Sequence, residues 1–207
     1  MDDRPPGVRR ACVAFAIQSP SGHADGTLAS AEQWLSSALV HVCSSAGLDR
    51  MLLNDSGAGE GQVALLPVGI DEPSFVAALV DGLLRAVTRR NARPFHDAPV
   101  RLTLAFHEGI TTLDEAGFDG CALAKVRRLA QCQQLRAVLD RQPRATLAVL
   151  LTDQIFEGIG DPGHPGLPAD QFDRVEIAGP AGEPGDVAWI YVPDVGAIGA
   201  PNPITVR

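Results

Sequence analysis

The chain has 207 residues, 45% hydrophobic and 20% charged, which excludes a disordered polar chain and suits one domain burying about 70% of its unfolded surface. A formal net charge of −8 excludes a nonspecific nucleic-acid surface, because neutralising phosphates needs a basic stripe. The 17 basic residues are 16 Arg and one Lys, Lys125, and with the abundant Ala, Gly and Pro this skew fits GC-rich coding of the actinobacterial kind.

In chain order, Met1 to Arg10 reads as a polar, flexible arm. Ala11 to Ile17 (ACVAFAI) is a continuous apolar run of strand length, the pattern of a strand covered on both faces. Gln18 to Gly26 is loop, and Thr27 or Ser30 caps a helix whose Trp34, Leu35, Ala38, Leu39 and Val42 recur at spacings of three and four. Leu48 to Leu53 and Val63 to Val68 read as strands, joined by a hairpin around Gly59-Glu60-Gly61. Pro73 opens the next helix, with an apolar face of Phe75, Val76, Leu79, Val80, Leu83, Leu84 and Val87. Val100 to Phe106 is a fourth strand, ending at a His107-Glu108-Gly109 turn and a loop. A helix from Gly120 to Asp140 follows, kinked near Ala130 to Gln133. Leu147 to Thr152 is a buried strand, Asp153 to Gly158 a short helix, and Gly160 to Asp170 a Pro/Gly-rich loop. Arg174 to Ile177 and Val187 to Val192 form a terminal antiparallel hairpin, and residues 194–207 a flexible tail. This order predicts an α+β sandwich over residues 11–193, a mixed, mostly antiparallel sheet covered by helices.

Cys12, Cys43, Cys121 and Cys132 lack C-x-x-C spacing and are expected to be buried, reduced core thiols. The histidines show no metal-ligand spacing, and no Walker, G-x-G-x-x-G or G-x-S-x-G motif occurs. No signal-peptide pattern and no run of 18 apolar residues is present, so a cytoplasmic chain with no membrane span is expected.

Three segments taken together, Gly59-Glu60-Gly61-Gln62-Val63-Ala64-Leu65-Leu66, His107-x-Gly109 and Gly120 to Leu129, resemble the class III nucleotide cyclase homology domain. The resemblance implies the ferredoxin-like palm fold and head-to-tail pairing, with metal carboxylates of one chain facing the Asn and Arg of the other. In that family the first carboxylate ends strand one in a Phe-x-Asp-Ile pattern; here the position falls on Ile17, or on Ala16 if the register slips by one. The second sits in the hairpin, where Glu60 stands, with Asp55 as a nearby substitute, and these two are the metal-ligand candidates. The Asn of the family's Gly-x-x-Val-Asn-x-x-x-Arg-Leu helix falls on Ala124, its Arg on Arg128, and the triphosphate-gripping Lys near the last hairpin on Ala178. Arg128 and Lys125 are the nucleotide-contacting candidates, and Arg128 and Glu60 the vestigial catalytic ones.

Several functional positions are thus apolar while the scaffold pattern survives. The expectation is a catalytically degenerate cyclase-like domain, a dimerising regulatory or interaction module in cytoplasmic signalling. Its implied partner is a second copy or another cyclase-like chain. No resident cofactor is expected, and Mg²⁺ or Mn²⁺ would bind only if the site were active. Two alternatives stand beside this. One is a divergent active purine nucleotide cyclase or other nucleotide-using enzyme. The other is a degenerate diguanylate-cyclase-like domain, whose hairpin Gly59-Glu60 and Val63 to Pro67 also resemble.

Overall fold

The computed structural model describes residues 7–18, 25–45, 52–55, 62–93, 99–114, 117–160, 166–180 and 184–194. The chain begins with β1 (Val8–Gln18), α1 (Asp25–Ser45), β2 (Leu52–Asp55), β3 (Gln62–Leu65) and α2 (Glu72–Asn91). It continues through β4 (Arg101–Asp114), β5 (Gly117–Asp119), α3 (Cys121–Ala130), α4 (Gln133–Arg141), β6 (Leu147–Thr152) and α5 (Asp153–Gly160). A 3-10 turn (Ala169–Gln171) leads to the closing hairpin β7 (Asp173–Ile177) and β8 (Asp186–Tyr191). The strands lie in the order β2-β3-β1-β4-β6-β8-β7, with β5 paired to β4. Among the described strands only β4 and β6 run parallel; the other pairs are antiparallel, so the sheet is mixed and mostly antiparallel as expected.

Both faces of the sheet are covered. Val13, Phe15, Leu102, Leu104, Phe106, Val149 and Leu151 face one core, which α1 closes with Leu35, Leu39 and Val42 and α2 with Phe75, Leu79, Leu83 and Val87. Cys12, Ala14, Ala16, Ala105, Ala148 and Leu150 face the other, beneath Ala122, Val126 and Leu129 of α3 and Leu135 and Leu139 of α4. The side chains under α3 and α4 are small on β1, and small side chains allow the helix to lie close to the sheet. Cover on both faces explains why β1 and β6 read as unbroken apolar runs rather than alternating ones.

Helix α2 starts where its capping signals put it. The Asp71 carboxylate accepts from Ser74 N at 3.5 Å and from Ser74 Oγ at 2.6 Å, Pro73 occupies the first turn, and Arg89 and Arg90 lie in the last.

Other boundaries move. Strand β1 takes in Val8, Arg9 and Arg10, which pair with Thr111, Ile110 and Gly109, so these residues belong to the sheet and not to an arm. Strand β2 starts at Leu52 and includes Asn54 and Asp55, expected to break it. The largest correction concerns His107-Glu108-Gly109, which is no turn: β4 runs straight through it to Asp114, supported by pairing with β1. The expected helix 120–140 is two helices, α3 and α4, with the break at Gln131 and Cys132. Cys12, Cys43 and Cys132 are buried reduced thiols, but Cys121 is exposed at the first position of α3.

Candidate functional site

Helix α3 organises the region. Gly120 leads into it with φ +138°, a backbone state that side-chain-bearing residues avoid, and a β-carbon there would stand 2.7 Å from Ile110 O. Ala122, Leu123, Val126, Leu129 and Ala130 turn toward the sheet. Lys125 and Arg128, one turn apart, are left on the flank facing the β7–β8 hairpin.

There they converge on one carboxylate. Lys125 Nζ lies 2.5 Å from Asp186 Oδ1, and Arg128 Nη2 donates to Asp186 Oδ2 at 2.7 Å. Arg128 Nη1 also donates to Ala178 O at 3.0 Å, at the end of the facing strand. The acid side chain is 16% exposed, against 34% for Lys125 and 31% for Arg128, so the cations cover it. Burial by itself would raise the Asp186 carboxyl; the hydrogen bonds and charges of Lys125 and Arg128 outweigh it and hold the group below the usual carboxylate range.

His107 is a near neighbour. It is 8% exposed, with Nδ1 3.4 Å from Thr152 Oγ1. Burial pushes its imidazole down to about 4, and Lys125, Arg9 and Arg128 act in the same direction while Asp186 opposes them. The ring is therefore neutral at pH 7, a hydrogen-bonding group and not a charge.

Of the residues singled out in the sequence, Arg128 and Lys125 come together, through Asp186. Asp55 is the last residue of β2, paired with Gln62, and Glu60 lies outside the described residues. Ala16 is buried under α3 and α4, and Ile17 is partly buried on the opposite side of the sheet. Ala124 and Ala178 are both exposed. Neither Ile17 nor Ala16 carries a ligating atom, and among the described residues no three His, Cys, Asp or Glu side chains come together to hold a metal ion. The described residues therefore do not fit the two-metal centre that the resemblance implies. The expected carboxylate position lies on β1, whereas Asp186, which holds Lys125 and Arg128, lies on β8, with β4 and β6 between the two strands.

Asp186 escaped the sequence reading. It follows Gly185 at the start of β8, and no local rule ties it to a helix 58 residues earlier. Only the folded hairpin brings it to α3.

No family model matches the chain, and no curated protein matches it in sequence. Solved structures match its fold across nearly all of its length. An adenylate/guanylate cyclase/hydrolase from Silicibacter pomeroyi superposes with a TM-score of 0.64 at 14% identity, covering 91% of this chain and 99% of that one. The guanylyl cyclase Cya2 gives 0.62 at 12% identity, covering 91% and 96%. A dimeric guanylyl cyclase domain of the RhoGC fusion protein from Blastocladiella emersonii gives 0.54 at 9% identity, covering 90% and 97%, and a monomeric form of that domain gives 0.51 at 8%, covering 90% and 98%.

Proposed function

With the adenylate/guanylate cyclase-domain fold as the premise, we propose that this chain is a catalytically degenerate member of that architecture, working as a pairing module in cytoplasmic signalling. The observation that carries the reading is the commitment of Arg128. Its guanidinium is bound within its own chain to Asp186 and to Ala178 O, where a catalytic arginine would have to face a substrate. Ile17, Ala16 and Ala124 support the same reading, because none offers a metal ligand or a hydrogen bond at the positions where the resemblance calls for one. Losing one such preorganised donor costs about 10²–10³ in rate.

The separation of the β1 position from the β8-bound cluster by β4 and β6 gives pairing its purpose. A site that needs both is completed by a second cyclase-like chain, either another copy or an active partner. A partner of this kind fits a domain of which no described helix is long and apolar enough to cross a membrane.

One observation favours an active reading. Lys125 and Arg128 stand side by side, each about one-third exposed, and two cations against one carboxylate leave a surplus positive charge that suits a purine nucleotide triphosphate. Isothermal titration with ATP and GTP, each with Mg²⁺ and with Mn²⁺, separates the two. The degenerate reading expects no metal-dependent nucleotide binding, and light scattering is expected to give a dimer. Metal-dependent binding in the micromolar range, lost in Arg128→Ala, would replace it with the enzyme reading.

A further inference from the structure

We propose that Asp186 is a built-in anion, an autoinhibitory carboxylate that occupies the Lys125–Arg128 pair in place of an external polyphosphate group. The inference rests on reading this cluster as the remnant of a phosphate-facing site, and adds to it the residue that closes the site and the chemical class of ligand that it excludes.

Three observations carry it. The first is stoichiometry. An ammonium and a guanidinium together offer eight N–H donors and two positive charges. Asp186 takes one contact from each, Ala178 O takes one more, and among the described residues one positive charge stays uncompensated. A phosphate group carries more acceptor oxygens and more charge than a carboxylate, so it answers this pair more fully than Asp186 does.

The second is access. Lys125 and Arg128 keep about a third of their side-chain surface open to solvent while Asp186 is the more enclosed partner. An incoming anion meets the cations first and need not pass through the protein.

The third is the position of Asp186 in the sheet. It pairs with Ile177 at the end of the β7–β8 ladder, and β7 is one of the two edge strands of the described sheet, so a single terminal pair holds it against α3. Strand ends open at lower free energy than the centre of a sheet. The carboxylate is thus held by the cations it neutralises more than by the ladder behind it.

The chain's single lysine makes the test direct. Reductive methylation with ¹³C-formaldehyde places one side-chain NMR reporter on Lys125, resolved from that of the N-terminus. Inorganic tripolyphosphate is titrated, in metal-free buffer at low ionic strength, into wild type and into Asp186→Asn, with far-UV circular dichroism confirming the fold. The expected result is a saturable shift of the Lys125 signal in D186N at concentrations at least tenfold below those needed in wild type, abolished when Arg128→Gln is added. D186S is the second variant, so that a folding defect of one substitution does not decide the outcome. Equal affinity in wild type and the variants overturns the proposal, as does the absence of a shift in a folded variant. Neither outcome bears on metal-dependent ATP or GTP binding by the wild-type chain, which decides the degenerate reading separately.

Discussion

Gly109 on β4 lies directly beneath Ala122 on α3: a β-carbon at position 109 would stand 2.8 Å from Ala122 Cβ and 3.3 Å from His107 Nε2. This glycine is needed for close approach of a helix and not for a turn, since its backbone is part of the β1–β4 ladder. Gly109→Ala is expected to lift the start of α3 and to destabilise the chain by about 1–3 kcal/mol, the usual range for overpacking a filled core. Adding Ala122→Gly should recover most of the loss. Urea midpoints of the two single variants and the double variant check this, and simple additivity would mean that the two positions do not press on each other.

The other end of α3 is held by Thr103. This residue is fully buried, donates from Oγ1 to Ala130 O at 2.6 Å, and accepts from Gln18 Nε2 at 3.0 Å. Thr103→Val keeps the shape but leaves the last carbonyl of α3 without its donor, which typically costs about 1–3 kcal/mol. Equilibrium denaturation should give that loss with an unchanged m-value. A loss below about 0.5 kcal/mol would show that the break between α3 and α4 does not depend on the Thr103 hydroxyl.

His107 gives the fold an acid-side dependence. Buried and flanked by Lys125, its imidazole stays neutral down to about pH 4, whereas in the unfolded chain it takes up a proton near the ordinary value of 6.5. Between those values the unfolded state binds more protons, so stability falls as pH drops through this window and levels off below it, by about 3 kcal/mol in all. His107→Gln removes this component. A variant whose stability between pH 6.5 and 4 falls as steeply as that of wild type would overturn the assignment.

Asp186 acts in a lower window. Its carboxyl is held below the usual range, so its contribution is complete above the ordinary Asp value and is lost as pH falls through the folded-state value. Asp186→Asn is expected to remove this component and, because Asp186 opposes the cations around His107, to carry the lower limit of the His107 window further down in pH. Thermal melts from pH 5 down to the acid limit of the fold check both halves of that statement.

Arg90 makes the opposite kind of contact. It is 9% exposed, with its guanidinium carbon 5.0 Å from the centroid of the Trp34 ring and its Nε buried without a hydrogen-bond partner among the described residues. A cation–π contact contributes about 0.5–2 kcal/mol, and an unsatisfied buried donor costs about 1–3 kcal/mol. The two nearly cancel, so Arg90→Met is expected to be at least as stable as wild type to within about 1 kcal/mol. A drop in Tm of more than about 4 °C would mean that the ring contact outweighs the desolvation of the guanidinium.

Much of the scaffold is legible in the sequence because its signals are local and agree with one another. In α2, the Asp71 cap, Pro73 and an apolar stripe of period 3.6 all mark the same helix. Leu147 to Thr152 is short, apolar on both faces and bounded by polar residues, which suffices for a covered strand. The reading fails where a local signal has a non-local cause. His107, Glu108 and Gly109 carry the composition of a turn, yet the polar groups find partners across the ladder and the glycine makes room for Ala122.

The same division holds for the site. Sequence alone placed Arg128 and Lys125 on one helix and found apolar residues at Ile17, Ala124 and Ala178, because position along a helix or strand is a local property. Tertiary structure alone decided what the two cations face, since Asp186 reaches them only after β7 and β8 have closed the edge of the sheet. A charge is written in the sequence, but its partner is set by the packing that brings the two within hydrogen-bonding distance.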